Sequence, residues 1–522
     1  MQRWTAYWFR AGGRTSAAVL RIAIGTSILW MLWRLHSIGY RPESAPHDVF
    51  RAVGILRITG EPGPALYAVV KPIAWLATLA MIAGVCSRVS TAVSFVAALV
   101  LASYECSFAP TWSHDNNAPL LAQLAFLGAH GGDAWSIDAW WRKRRGTAVP
   151  DDRAYMWSVL LVQLALAIMM ASAAYTKLVS GGPTLAWVLS DNLRNQILVR
   201  FDFRGVARPP VAEWLVAEPL RWKTAAFLNI VAQLAPLAAC FAIRRPLVRA
   251  ALGALFVTEV IGLDVVMGFS NFHWLPLAAA FVDWDRLLRR PPPASERPTV
   301  SRAARRYVAA FVICDALIAF WRWPKLDQLL NLYPLSSFPM FASIRAVPPY
   351  AEHHVYEMAD VRLEVDSTPA PAPGMQAWIT DQVKLHRLVN VRTRDGVREQ
   401  LVAFHAAARA GFPEYAIRAV RLHLVAIEAA PYPEPARLVR RDVGIMGELA
   451  ADGTFTSALA PLGRSGDRFT AATTAPLAVH HDGAVRDLAT VRDGERQSFE
   501  LPAPPVHVLA RAGERLFLVG SR

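Results

Sequence analysis

The stretch Met156-Trp-Ser-Val-Leu-Leu-Val-Gln-Leu-Ala-Leu-Ala-Ile-Met-Met-Ala-Ser-Ala-Ala-Tyr-Thr-Lys177-Leu-Val is almost wholly apolar and closes on a lysine. It has the roughly 20 residues that a bilayer crossing takes, so its spacing predicts a transmembrane helix. An amine at the end of such a span is either an anchor snorkelling to the headgroups or a group kept for chemistry. The choice depends on which side of the membrane it faces and on what else lies there.

The rest of the chain is of the same kind. It is 54% hydrophobic and carries 18 Trp in 522 residues, with a mean hydropathy of +0.26, all high for a water-soluble protein. Apolar runs near Ala17–Ile38, Ala65–Val85, Thr91–Tyr104, Pro119–Ala129, Met156–Thr176, Thr224–Ile243, Val248–Met267, Phe272–Val282 and Val308–Trp321 predict about nine spans. Pro119–Ala129 and Phe272–Val282 are short. Such segments are tilted, broken or re-entrant, and survive in a membrane only when packed against protein. No cleavable signal peptide is expected, since the first run is long and has Arg21 and Arg34 in or beside it.

Lys and Arg gather in alternate loops: Arg3, Arg10 and Arg14; Arg88; Arg142–Arg145; Arg244, Arg245 and Arg249; then Arg286, Arg289, Arg290, Arg302, Arg305 and Arg306. The positive-inside rule puts these loops, and the N-terminus, in the cytoplasm of a cell whose plasma (inner) membrane holds the chain. The net charge of +14 is therefore a topology signal and not a nucleic-acid surface. Arg41, Arg51 and Arg57 on the outer side run against this map. The long outer segment Lys177–Lys223 has a helical mixture of apolar and polar residues that suits a helix lying in the interface plane.

Beyond about Asn331 the composition changes. Tyr333–Phe341 reads as a Pro- and aromatic-rich interfacial exit. Val355–Val365, Arg387–Thr393, Ala416–Glu428 and Val506–Val519 alternate as strands, and Val397–Ala410 as one helix. Asp395-Gly396, Asp452-Gly453, Asp482-Gly483 and Asp493-Gly494 are tight-turn signals. The fold expected is an all-α polytopic bundle over residues 1–330, a linker over 331–345, and a β-rich α+β extracytoplasmic domain over 346–522, long enough for its own core.

Cys86, Cys106, Cys240 and Cys314 lie in or near spans and read as buried small hydrophobes. No phosphate or dinucleotide loop is present, and no metal site is expected. The pairs His353-His354 and His480-His481 sit on or beside strands, where neighbours point to opposite faces, and read as surface positions. The ionisable groups converge instead on the outer leaflet: Lys177, the polar run His114-Asp115-Asn116-Asn117, Glu105, Asp264 and His273, with Glu259 deeper. Each has a plain reading: snorkelling for Lys177, a solvated loop for His114, a structural salt bridge for Asp264. Asp138 reads as a cap for the next cytoplasmic element.

Ser113-His114-Asp115-Asn116-Asn117, Leu120–Leu127 and Ala134-Trp135-Ser136-Ile137-Asp138, followed by Ala173-Ala174-Tyr175-Thr176-Lys177-Leu178 and Trp187, resemble in order the segments of the HTTM (horizontally transferred transmembrane) family. Val19–Gly25 resembles its first helix, so the likeness covers roughly the first 320 residues. That family includes the vitamin-K-dependent γ-glutamyl carboxylase. The resemblance implies a membrane enzyme in which Lys177 takes a proton from a reduced, vitamin K-like quinone and His114 assists; Asp115, Asp264 and His273, on the same leaflet by the loop map, are expected to support the site. A lysine can do this only where desolvation or cationic neighbours favour its neutral form. The pattern departs in having Thr176-Lys177 where the carboxylase has two lysines, and in a histidine displaced by about one position. The other class left open is a non-catalytic assembly, transport or partner-binding protein whose external domain takes a peptide or protein. Membrane lipid is a partner in either case; nucleic acid is in neither.

Overall fold

The computed structural model describes residues 2–38, 50–108, 114–147, 154–202, 206–289, 300–321, 333–335, 356–385, 388, 391, 393–430, 432–465, 468–473, 475–481, 484–493, 496–501 and 506–521. The chain divides into two compact units, Met1–Arg345 and Ala346–Arg522.

The first unit is helical: α1 Gln2–Trp8, α2 Arg14–Ile38, α3 Leu56–Thr59, α4 Pro64–Ala83, α5 Ser87–Phe108, α6 Asn117–Ala125, α7 Ile137–Arg144, α8 Met156–Gly181, α9 Ala186–Leu189, α10 Asn192–Phe201, α11 Pro210–Val216, α12 Pro219–Phe241, α13 Pro246–Met267, a 3-10 helix Phe272–Phe281, α14 Trp284–Leu287 and α15 Arg302–Phe320. Among the described residues six of these, α2, α4, α5, α8, α12 and α13, are long and apolar enough to cross a membrane. α8, opened by the stretch quoted above, is the central one, buried along almost its whole length. α4 and α12 turn large apolar side chains outward, among them Leu76, Leu79, Phe227 and Phe241. An apolar exterior of this extent suits lipid and not water.

The other three apolar runs are shorter helices, yet contacts show that they travel the same distance. At one end of α2, Thr15 and Ser16 donate to Asp285, and farther in Arg21 donates to the carbonyls of Ile82, Gly131 and Trp135. At the other end, Arg34 meets His273 and Asp115. Arg21 and Arg34 are separated by roughly 20 Å of helix. The segment 115–131 therefore bridges the bundle through nine-residue α6 and the turn after it. The 3-10 helix from His273 does the same, because at about 2.0 Å per residue its 10 residues reach as far as a longer α-helix. α15 runs beside α8, with Tyr307 against Trp157 and Phe320 against Tyr175. The loops bearing Arg14, Arg142, Arg245 and Arg286 consequently share one end, called here the basic end.

Several local expectations change. Asp138 accepts from the backbone N–H groups of Cys86 and Ser87, so it caps the start of α5; Ser136 caps its own helix α7. Gly84, at φ 69°, lies where a Cβ would strike the Arg21 guanidinium. Cys106 and Cys240 are buried, but Cys86 and Cys314 are exposed. Of the linker, Tyr333–Leu335 are described; Tyr333 packs in the core of this unit and Pro334 accepts from Asn117.

The second unit holds an eight-stranded sheet, ordered β1-β2-β3-β12-β11-β7-β8 with β4 on β3, and a four-stranded sheet β5-β6-β10-β9. The strands are β1 Tyr356–Thr368, β2 Ala416–Ala429, β3 Leu438–Ala450, β4 Phe455–Thr456, β5 Gly463–Ser465, β6 Arg468–Ala472, β7 Leu477–His481, β8 Ala484–Asp487, β9 Val491–Asp493, β10 Arg496–Phe499, β11 His507–Ala512 and β12 Arg515–Ser521. Val361, Leu363 and Val365 alternate inward with Val420, Leu422 and Leu424 against the helix Pro373–Leu385 and the helix Arg394–Gly411. Val506–Val519, expected as one strand, is the β11–β12 hairpin turning at Gly513. Asp395-Gly396 lies in the first turn of a helix, because Thr393 caps Gly396 and the 3.6-residue rhythm of Val397, Leu401, Phe404 and Ala408 prevails. Of Arg387–Thr393, the described residues Leu388, Val391 and Thr393 belong to no strand. His480 is buried beside His507, not at the surface, while His481 points the other way. His353-His354 and Asp482-Gly483 lie outside the described residues.

Candidate functional site

α8 carries Lys177 into the bundle, not toward its rim. The side chain is 1% exposed. Helical side chains lean toward their own N-terminus, which draws the amine back from the end of α8 onto the neighbouring helix. There Nζ donates to Asn229 Oδ1 at 2.7 Å and to Gln233 Oε1 at 3.0 Å. Asn229 and Gln233 stand one turn apart on α12, so both amides face the same way. Their nitrogens donate onward: Asn229 Nδ2 to both oxygens of Glu259 at 2.8 Å, and Gln233 Nε2 to Oε1 at 2.7 Å. Glu259, on α13, is 5% exposed. Three helices are thus joined by a chain of polar groups running lysine, paired amides, carboxylate.

The chain of donors and acceptors has a direction. Ammonium and amine groups donate, amides do both, and an ionised carboxylate only accepts. Two amides can therefore relay hydrogen bonds from one charge to the opposite one. The amine also lies 4.7 Å from the centre of the Trp187 ring. Trp187 belongs to an apolar wall with Ala174, Val188, Ala226 and Ile230. A Cβ on Gly181 would press within 2.8 Å of the Trp187 backbone nitrogen, so the glycine lets α9 fold back over α8.

The segment after Lys177 is not a helix in the interface plane. It breaks at Ser190-Asp191 into α9 and α10, and Asp191, Asn192, Arg194, Asn195 and Gln196 are buried in protein. Arg200 closes this region by donating from Nε to the Met267 carbonyl and from a terminal guanidinium nitrogen to Gly268, a cation on the last turn of α13. α11 keeps an interfacial character, with Val211 and Trp214 exposed.

Asp115 and His273 form a second cluster with Arg34. Arg34 donates to His273 Nδ1 at 2.9 Å, so Nδ1 must accept and the hydrogen sits on Nε2, which donates to the Asp115 carbonyl at 2.8 Å. Trp274 Nε1 donates to the same carbonyl, and Ser27 donates to the His273 carbonyl. His273 is thereby a pin between α2 and the polar loop, with both ring nitrogens occupied. Asp264 is half-buried on α13, about 140° around the helix from Glu259, and makes no ion pair among the described residues. The structure thus joins Asp115 to His273 and Lys177 to Glu259; His114 is not a hydrogen-bond partner of Lys177.

Asn229 and Gln233 were not singled out from the sequence. The available signal was two amides at i and i+4 inside an apolar span, the spacing that puts both on one helix face. No family model matches the chain, and no curated protein or solved structure matches it. Among the described residues no group of three or more His, Cys, Asp and Glu could hold a metal.

Proposed function

We propose that this chain is a multi-pass protein of the plasma (inner) membrane, with its basic end in the cytoplasm, and that Lys177 is the proton acceptor of a site for a lipophilic reduced quinone. The alternation of basic loops supports the orientation. Nine end-to-end segments would then carry residues 346–522 to the outer side, where a peptide or protein could meet them. The resemblance to the HTTM family suggests the chemistry, a carboxylase-like reaction of the lyase class.

One observation carries the role of Lys177: its amine is turned inward and held by two amide oxygens. A neutral amine has two N–H groups and one lone pair. With both N–H groups on Asn229 and Gln233, the lone pair is left for a third partner. The Trp187 wall gives a flat aromatic ring an apolar surface to lie on. A reduced quinone would supply an acidic hydroxyl there. Lys177 would take the proton at Nζ, and Glu259 would balance the resulting charge through the amides. His114, bonded to neither, would assist only across a bridging group.

The closure of the same network favours the second reading, a non-catalytic assembly, transport or partner-binding protein in which lysine and glutamate only hold three helices together. Lys177→Arg separates the two. Arginine keeps the charge and the donors but never becomes a base. Quinol turnover abolished in Lys177→Arg, with expression and co-purified quinone retained, supports the enzyme. Wild-type protein that neither retains a quinone by mass spectrometry nor turns one over leaves the structural reading. Reporter fusions at Lys143 and Gly453 test the orientation: Lys143 should report cytoplasmic and Gly453 external.

A further inference from the structure

At the basic end of the bundle, far from Lys177, an open cleft of about 720 Å³ is lined by Arg14, Asp133, Arg142, Lys143, Gly146 and Thr147. Its charges do not cancel. Arg142 donates to Asp133 at 2.9 Å and to the Gly132 carbonyl at 2.6 Å, and Tyr155 donates to the other Asp133 oxygen. The one carboxylate is therefore already engaged. Arg14 and Lys143 have no hydrogen-bond or ion-pair partner among the described residues, and the buried Nε of Arg14 is unsatisfied. Two cations without a counter-charge on one open cleft leave a positive field there that an anion would neutralise.

The rim of the cleft indicates which anion. Trp135, Ile137, Trp140 and Trp141 are all exposed on α7 and its lead-in. Arg144 stacks over Trp140 at 4.0 Å, and Arg145 lies 5.4 Å from the Trp141 ring centre. Indole rings beside guanidinium groups belong at the headgroup level of a bilayer, rings toward the acyl chains and cations toward the phosphates. Asp138 fixes this helix to the bundle by accepting from the backbone N–H groups of Cys86 and Ser87, so its position next to the cleft is built in. Clusters of Lys and Arg beside a span on the cytoplasmic face attract anionic lipid by about 1 kcal/mol per cation.

We infer that this cleft holds the phosphate of an anionic phospholipid, with Arg14 and Lys143 as its direct ligands, Arg142 beside them, and the α7 tryptophans flanking the acyl chains. The inference rests on the proposed membrane placement with the basic end in the cytoplasm; it does not depend on what Lys177 does.

The full-length protein, purified with native lipid, would be compared with an Arg14→Gln/Lys143→Gln double variant by native mass spectrometry and by thermal unfolding with added phosphatidylglycerol or phosphatidylcholine. Wild type should retain phosphatidylglycerol and be stabilised by it and not by phosphatidylcholine. The double variant should bind it at least tenfold more weakly. Arg244→Gln/Arg245→Gln, which removes as much charge at the same end, should bind as wild type does. Trp140→Ala/Trp141→Ala, which leaves the cations in place, should also weaken retention and covers the case of a double variant that fails to fold. Equal retention in all four proteins overturns the inference. Equal stabilisation by glycerol 3-phosphate or inorganic phosphate overturns the lipid assignment, leaving a site for a free anion.

Discussion

Opposite charges are handled in two ways in this molecule. In the helical bundle Lys177 and Glu259 never touch; Asn229 and Gln233 stand between them. On the sheet of the second unit they meet directly. Glu364, Arg421 and Glu448 stand opposite one another across β1, β2 and β3, with Arg421 2.8 Å from Glu364 and 3.3 Å from Glu448. Arg362, Asp366, Arg418, Asp442 and Arg515 extend the row. The difference lies in water. At the exposed ends of the row, as at Arg362 and Asp442, the charges stay partly hydrated and a salt bridge gains and loses little, whereas Arg421 at its centre is mostly covered. At Lys177 and Glu259, 1% and 5% exposed, the charges have lost their hydration and the amides take the place of water.

The sharpest way to break this contrast is to remove one member of the buried pair. Lys177→Met leaves Glu259 uncompensated and should cost about 3–5 kcal/mol, read as a drop in unfolding temperature of the full chain. Lys177→Met/Glu259→Leu should recover much of that loss. A double variant as unstable as the sum of the singles would mean that the two residues act separately.

On the sheet, Arg421→Leu should cost less, about 1.5–3 kcal/mol for its charged hydrogen bonds. Amide exchange should quicken in β1–β3 and stay unchanged in α8 and α12.

Acid should then weaken the second unit in two steps. Burial would raise the Glu364 carboxyl, but the Arg421 hydrogen bond, His423 and Arg362 outweigh it and hold it below the usual range. The Arg418 hydrogen bond does the same for Asp366. Both bind protons less readily folded than unfolded. Their stabilisation is complete above the unfolded value, about 4, and is lost as pH falls through the folded ones. Burial, with Arg362 next, depresses His423, and burial with Arg409 depresses His405. For these, stability begins to fall below about pH 6.5. Exchange protection in β1–β3 should be level from about pH 7 to 8 and decline below, with the upper step reduced in His423→Gln. Protection that rose on acidification would contradict the assignment. The smallest change is expected for Arg362→Leu, whose side chain is 44% exposed: about 0–1 kcal/mol.

Much of this was legible in the chain. Each of the nine apolar runs is a helix, because long apolar stretches have few other ways to satisfy their backbone. The strands of the second unit show in their alternation, and Val397–Ala410 in its 3.6-residue rhythm. The errors come where a local signal met a stronger partner. Asp395-Gly396 was read as a turn but was overruled by the Thr393 cap. Asp138 reads as a cap for its own helix but caps a segment 51 to 52 residues earlier. His273 and Asp115 were correctly placed at one end, yet Arg34, which ties them together, entered only as a charge in the first apolar run.

Lys177 itself marks the boundary between the two kinds of knowledge. Sequence determines that an amine stands where an apolar span ends, that basic loops alternate, and that a β-rich unit follows. These depend on composition and on spacing along the chain. Whether that amine turns to the headgroups or inward is set by residues 52, 56 and 82 positions away, which only the packing of α8 against α12 and α13 brings within reach. Hydrophobicity sorts the helices into a membrane; the rotation of each about its own axis decides which polar groups meet, and that rotation belongs to the assembled bundle.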